Sequence, residues 1–388
     1  MNMTVTHRRQ FQEFQIVQQA ACSLYNAIGT ACNAHPVHIV HLSLEPNLDQ
    51  TLTRVQFKVA FTQNTLQSEG TVWVTVQTII KSVEATPDRI STVTTASTSS
   101  LKRRSKRDHE EHCSSKVRSS ARFDHAKGSS TSSYLIEPFT ALPNLSLQRN
   151  LCKVVERHLH QKLCNDCIGV LGENEICKHL AYLGSKTSIS STPKTLSQLV
   201  AGKMGTYARV RLAKYLATAV LYYHATPWLR KAWSSDDVYF FNDFGISLQQ
   251  RQQIQPYMTA SIQGPASLTS SQSLSSDYNH IIHNPVLFGL GVMFLELAFQ
   301  CPLRDLQKPV DCERGTIPGA DYFTAHRVVE DSHGEVSASF KKIIRQCLRC
   351  DFGQGSDFTA AGLQQAFYTD VIVVLEDLEE EFRNLQLD

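Results

Sequence analysis

Three sets of residues have types and spacings suited to chemistry. Cys164-x-x-Cys167 followed by Cys177-x-His179 offers thiolate and imidazole donors of the kind that hold zinc. His158 and His160 lie close by in the sequence, and Cys347 and Cys350 form a further pair. Only the first pair has knuckle spacing; the Cys177/His179 pair would share one face of a strand. Buried free thiols are the competing reading for all of these cysteines. Asp237 and Asp243 are carboxylates six residues apart, and Asp243 opens an Asp-Phe-Gly triplet. Carboxylates so placed can hold a metal–nucleotide complex for phosphoryl transfer, provided a phosphate-binding lysine and a base accompany them. The third set is the basic run Lys102, Arg103, Arg104, Ser105, Lys106 and Arg107. It suits contact with phosphates or an import receptor. No aromatic residue interleaves with it, so base stacking is not expected, and nucleic acid is not the expected partner. A solvated charge cluster is its plainer reading.

Positioning any of these groups requires a fold. Phe11, Phe14, Val17, Ala21, Leu24 and Ile28 recur at helical spacing over residues 8–28. Runs at 38–44, 55–62 and 71–80 alternate as half-buried strands and predict a small antiparallel sheet. Residues 85–133 are rich in Ser, Thr, Lys and Arg with few large apolar residues, which predicts a disordered insertion. Beyond it come a helix over 147–163, a strand–turn–strand over 167–183 and a short helix at 196–201. A largely buried helix covers 207–223, followed by a short strand at 238–241. Helices at 285–299, 340–350 and 359–387 complete the reading. The expected units are therefore 1–28 (a helix, either the tail of a helical domain or packed on the next unit), 29–84 (first part of the sheet), 85–133 (insertion), 134–200 (remaining sheet and hinge) and 201–388 (helical).

The 388 residues carry a formal charge of +2, which implies no general attraction to nucleic acid or to a membrane surface. The N-terminal residues lack the apolar core of a secretory signal. The longest apolar stretch, 285–299, is too short to span a bilayer comfortably and contains Glu296. Eleven cysteines without framework spacing read as reduced thiols of a cytoplasmic or nuclear protein. In the last helix Leu363, Phe367, Val371, Val374, Leu378, Phe382 and Leu385 form a stripe, with Glu376, Asp377, Glu379, Glu380 and Glu381 beside its second half. Leu378, Phe382 and Leu385 are expected to lie beyond the lobe and contact a protein partner.

The order of elements resembles the two lobes of protein kinases, and local strings add to the likeness. Leu221-Tyr222-Tyr223-His224 ends a buried helix, Gly291-Val292-Met293-Phe294-Leu295-Glu296-Leu297 looks like the central helix of the helical lobe, and Ile343 to Leu348 is similar to its late helix. A closer resemblance is to a fungal kinase-like domain of unknown function that often follows HeLo-type (prion-inhibition and propagation) helical domains. It is carried by Cys32 with His38, by Leu171-Gly172, and by Leu212-Ala213 through His224, Thr226, Pro227, Trp228 and Leu229. Trp233-Ser234-Ser235-Asp236-Asp237 and Cys347-Leu348-Arg349-Cys350-Asp351-Phe352 complete it. It covers about residues 10–388 apart from the insertion.

The resemblance implies an α+β, kinase-like two-lobe fold with a small antiparallel sheet in one lobe and helices in the other. It also implies missing chemistry. No Gly-rich phosphate loop precedes the helical half, Lys58 alternates outward, and aligning Asp237-Val238-Tyr239 with the kinase Asn-Ile-Leu puts Ala232 where the catalytic aspartate belongs. The Asp-Phe-Gly at 243–245 comes too soon, and that at 351–353 too late. The expectation is a catalytically inactive interaction or regulatory module with a protein partner and no cofactor, in fungal self-recognition or stress signalling. An atypical ATP-binding phosphotransferase using Asp237 and Asp243, or a zinc-stabilised binding module, are the alternatives.

Overall fold

A computed structural model describes residues 5–32, 35–62, 71–81, 142–160, 167–184, 193–202, 204–241, 255–263, 281–313, 319–332 and 336–385. The basic run at 102–107, Cys164, Asp243 and the whole of 85–133 lie outside the described residues.

Helix α1 (Val5–Ala31) is longer than its periodicity alone indicates. It is no appendage. Val17, Ala20, Ala21, Leu24 and Ile28 are fully buried, so its apolar stripe lies inside the main core. Strands β1 (Val37–Ser43), β2 (Asn47–Leu48), β3 (Arg54–Thr62) and β4 (Thr71–Ile80) come next. In β3 and β4, buried and less buried residues alternate as a strand with one apolar face requires. After the two short helices α2 (Leu145–Gln148) and α3 (Leu151–His160) comes the hairpin β5 (Cys167–Glu173) and β6 (Cys177–Leu183). Its turn is closed by Asn174, whose side-chain oxygen accepts from the Ile176 and Cys177 amides.

Strand β7 (Lys194–Thr195) leads into α4 (Leu196–Val200), which Thr195 and Gln198 start with a reciprocal capping box. Helix α5 (Thr206–Tyr223) is buried on most sides. Strands β8 (Val238–Phe240) and β9 (Tyr257–Gln263) precede α6 (Pro285–Phe299). Asn284 caps α6 by accepting from the Leu287 amide at 3.0 Å, and Pro285 sits at the first helical position. Then come α7 (Pro309–Glu313), α8 (Gly319–Asp331), α9 (Ala338–Arg349) and α10 (Ala361–Phe367). A π-helical turn, Tyr368–Val373, leads on to α11 (Val374–Leu385).

The fold is thus α+β with an antiparallel sheet, as expected, but the sheet is larger than expected. Its order is β5-β6-β4-β3-β1-β9-β8-β7, with β2 paired to β3. Strand β9 is absent from the sequence reading, because Thr259 and Ser261 dilute the apolar pattern of Met258, Ala260 and Ile262. It pairs with β1 over seven residues, from Val37↔Gln263 to Ser43↔Tyr257. Strands that the sequence assigns to two separate parts are therefore one continuous sheet.

One face of the sheet holds α1 and the main core. The opposite face carries a small aromatic group of Phe241, Tyr257, Trp73 and Tyr239 around Ala60. Each face contains one buried histidine set between hydroxyls. His41 bonds Thr259 at 2.7 Å and Thr62 at 3.3 Å, under the rings of Tyr239 and Phe241. His179 bonds Thr78 and, on α1, Ser23, both at 2.8 Å.

Within the helical part, α6 crosses α9 at the glycine of position 291. A Cβ there would lie 2.9 Å from the Leu348 side chain and 3.0 Å from its amide nitrogen. Glu296, buried on the same helix, accepts from the Leu303 amide at 2.9 Å, and burial pushes its carboxyl upward.

This packing predicts two outcomes. Gly291→Leu is expected to lose more than about 2 kcal/mol in urea unfolding, because neither backbone can retreat. Gly319→Ala, with nothing within 4 Å of the added methyl, is expected to stay within about 0.5 kcal/mol. The second outcome concerns pH. Burial pushes His41 and His179 down to about 4. The unfolded chain protonates these rings near pH 6.5, whereas the folded chain resists until about 4. Stability therefore falls as pH drops through this window, by up to roughly 2 kcal/mol per ring at pH 5. Urea midpoints measured from pH 7 to pH 5 should show the fall, and His179→Asn should flatten the profile while lowering its plateau.

Candidate functional site

The segment after α5 carries Asp237 and most of the strings on which the family resemblance rests. It begins at His224, the C-cap of α5, which is followed by Ala225 in the left-handed region at φ 56°. His224 Nδ1 lies 3.1 Å from the Val220 carbonyl and 3.0 Å from that of Leu221, so it carries the proton. Nε2 then accepts from the Gln364 amide on α10 at 2.9 Å and approaches the Gln18 amide on α1 at 3.4 Å. Gln18 also donates to the His224 carbonyl. Burial pushes the ring's pKa down, which keeps this neutral tautomer in place. The histidine is a three-way tie between α1, α5 and α10.

The next residues continue the pattern. Thr226 Oγ1 donates to the Tyr223 carbonyl at 2.6 Å, and Pro227 is exposed at the turn. Trp228 is fully buried; its indole N–H donates to the Ala21 carbonyl of α1 at 2.7 Å and its ring meets Tyr25 edge-on. Trp233, also buried, donates to the Val286 carbonyl at 2.9 Å. It sits against Gly289, where a Cβ would come within 2.5 Å of its carbonyl oxygen.

Asp237 is engaged on both carboxylate oxygens. Arg230 forms an ion pair with one, and the Ser234 amide donates to the other at 2.9 Å. This is a turn cap, with Ser234 and Asp237 bonded reciprocally. Ala232 is exposed. Asp351, of the second Asp-Phe-Gly triplet, is an exposed residue just past the end of α9. Lys58 points outward to Gln255, at 3.2 Å.

Among the described residues, the zinc set that the sequence offers as an alternative is not assembled. Cys167 pairs with Tyr182 at the open end of the β5–β6 hairpin, whereas Cys177 lies beside its turn. Five strand residues, roughly 16 Å, separate the two ends. His179 is committed to Thr78 and Ser23, and His158 bonds the Val154 carbonyl of its own helix at 2.8 Å. Cys347 is buried in α9, and Cys350 at its end approaches only the Gly355 carbonyl, at 3.8 Å.

A different group does converge. Cys32 follows α1, His35 and His38 lead into β1, and Cys152 lies in the first turn of α3. One donor atom from each lies within 4.8 Å of the others. In the sequence Cys32 and His38 stand out as marks of a family and not as ligands. His35 completes a Cys-x-x-His-x-x-His spacing that could have flagged the site. Cys152 could not be found so: 120 residues separate it from Cys32. The neighbouring Cys32 sulfur and burial push the Cys152 thiol upward.

A family model described as a domain of unknown function (DUF7580) matches residues 11–380. The chain belongs to the DUF7580 family. No curated protein matches it. The match runs from the second turn of the buried α1 into α11, so the family unit takes in both the sheet and the helical part.

In this DUF7580 chain the C-terminal stripe is not left bare as expected. The π-helical turn at Tyr368–Val373 adds a residue to the helical repeat, and beyond it the buried positions are Leu375 and Glu379 rather than Val374 and Leu378. Leu378 and Phe382 are half-buried against the core, where with Val210, Leu297 and Phe340 they line a cavity of about 210 Å³. Only Leu385 of the three is exposed, at 70%. Nor is the acidic face wholly solvated. Glu379 is buried and pairs with Lys214, with Arg383 at 3.5 Å and with Arg211 at 3.9 Å. No described helix is long and apolar enough to cross a membrane.

If the loop after α5 is a structural clamp, Trp228→Phe should be strongly destabilising although the site remains apolar. It removes the bond to the Ala21 carbonyl and leaves a small void, about 2 kcal/mol together. Urea unfolding of the full chain checks the figure, and a loss below about 0.5 kcal/mol would contradict the clamp.

Proposed function

We propose that this DUF7580 domain is a catalytically inactive, kinase-like two-lobed module that acts by binding a protein partner. What carries the reading is the state of Asp237. Its carboxylate, the one described candidate for metal–nucleotide binding, is taken up by Arg230 and Ser234 in capping a turn. Around it, His224, Thr226, Trp228 and Trp233 commit their polar atoms to backbone and side chains of the fold. Phosphoryl transfer needs charges free to meet phosphate, magnesium and the attacking hydroxyl. Here Ala232 stands where a base is required and Lys58 faces outward.

A role in fungal self-recognition or stress signalling rests on the sequence resemblance to kinase-like domains found beside HeLo-type domains. Of the three residues expected at the partner surface, Leu385 alone remains a candidate; Leu378 and Phe382 are taken up in packing.

Millimolar Mg-ATP is expected to leave the melting temperature of the full chain within about 1 °C of the apo value, since a ligand that binds the native state must raise it. No phosphate transfer to a generic substrate or to the chain itself is expected. A clear upward shift with ATP turnover that is lost in Asp237→Ala or Asp243→Ala would overturn the proposal in favour of an atypical phosphotransferase.

A further inference from the structure

We propose that Cys32, His35, His38 and Cys152 bind one zinc ion, which fastens the end of α1 and the start of β1 to α3. The donor set is two sulfurs and two imidazoles, the combination that selects zinc over magnesium or calcium. The separations fit. Cys32 Sγ lies 3.8 Å from Cys152 Sγ and 3.9 Å from His35 Nδ1, and Cys152 Sγ lies 3.7 Å from His38 Nδ1. A tetrahedron with zinc–sulfur bonds of about 2.3 Å and zinc–nitrogen bonds of about 2.0–2.1 Å has edges of about 3.3–3.8 Å. These three separations lie at or just beyond the long end of that range, and all four donors lie within 4.8 Å of one another.

The ordinary alternative, a set of buried groups bonded to one another, leaves these residues poorly served. His38 is only 9% exposed, so its ring is largely shut off from water. Its Nδ1 meets a sulfur at a distance that makes a weak hydrogen bond at best. The two rings lie edge to face with centroids 5.3 Å apart, both brought to the same pair of sulfurs. Gathering two imidazoles and two thiols in one buried place calls for a group that can bond to all of them. A cation at their centre turns the same arrangement into four bonds.

The positions of the ligands give the ion a structural role. Three come from a seven-residue stretch where helix gives way to strand, and the fourth from a helix 120 residues away from the first. Beside the site Cys32 and Asn150 form an isolated backbone bridge, so the two segments already touch. No ligand position is left for substrate, because all four corners are protein atoms, the mark of a structural and not a catalytic zinc site. This site shares no residue with the loop after α5, and it stands or falls independently of the proposed function.

The test is metal content of the full chain purified without chelator from zinc-supplemented cells. About one zinc per chain is expected by elemental analysis, falling at least five-fold in His35→Ala and in Cys32→Ser with Cys152→Ser. Cys167→Ser and Cys177→Ser should leave it unchanged. Because the double variant can lose its fold, cobalt added to metal-stripped wild-type chain gives a second readout. Tetrahedral thiolate coordination produces strong visible bands, which His35→Ala should weaken and shift. A chelator should lower the melting temperature of the wild type and not that of His35→Ala. Metal-free wild-type protein that takes up no cobalt, zinc retained in the double variant, or a Cys32–Cys152 disulfide in freshly purified protein would each overturn the proposal.

Discussion

The buried length of α1 is the constraint on which the other elements depend. Its apolar stripe lies against the sheet and against α5, and it offers polar atoms to both. Ser23 bonds His179 on β6, Gln18 bonds His224 at the end of α5, and the Ala21 carbonyl takes the indole proton of Trp228. An exposed helix satisfies polar groups with water; this one must satisfy those of its neighbours. The three ties lie within six residues, so a small rotation of α1 would break all of them together. Such coupling ties the loop after α5 to the core through α1. His224, Thr226, Trp228 and Trp233 each bond a group of the fold that burial would otherwise leave without a partner.

The second constraint is the pairing of β1 with β9. Seven paired residues tie β1, near the start of the chain, to β9, far along it, through backbone hydrogen bonds. Moving β1 away from β9 must break or bend that ladder, so such motion is strongly opposed and small adjustments at the sheet edges are not.

Much of this is legible in the residues. The alternation in β3 and β4 and the all-round apolarity of α6 are strong periodic signals, and their elements stand close to where those signals put them. The buried α5 is as plain, and it stops at the turn holding Pro227. Strand β9 escapes because two small polar residues on its less buried face blur its period; only the strands on either side make it a strand. The C-terminal stripe reads as one uninterrupted helix, and no residue pattern announces the π turn, after which Leu375 and Glu379 are buried and Val374, Leu378 and Phe382 only half-buried. Metal ligands fare similarly. Cys-x-x-Cys spacing draws attention to a hairpin whose register holds its ends apart. The group that does gather depends on where α3 lands after a long excursion of the chain, and local spacing contains no such information.

The distance in sequence between β1 and β9 also bears on how the chain is made. Val37 must wait for Gln263, and α1 for Trp228. A ribosome adding about 5–20 residues per second needs roughly ten seconds or more to deliver those partners. During that time the stripe of α1 and the β1 edge, with Val37 and Ile39 exposed even in the finished fold, are available to any other chain. The domain completes its core only after β9 and the helices beyond it are made, and its yield in a cell should depend on what shelters α1 and β1 until then.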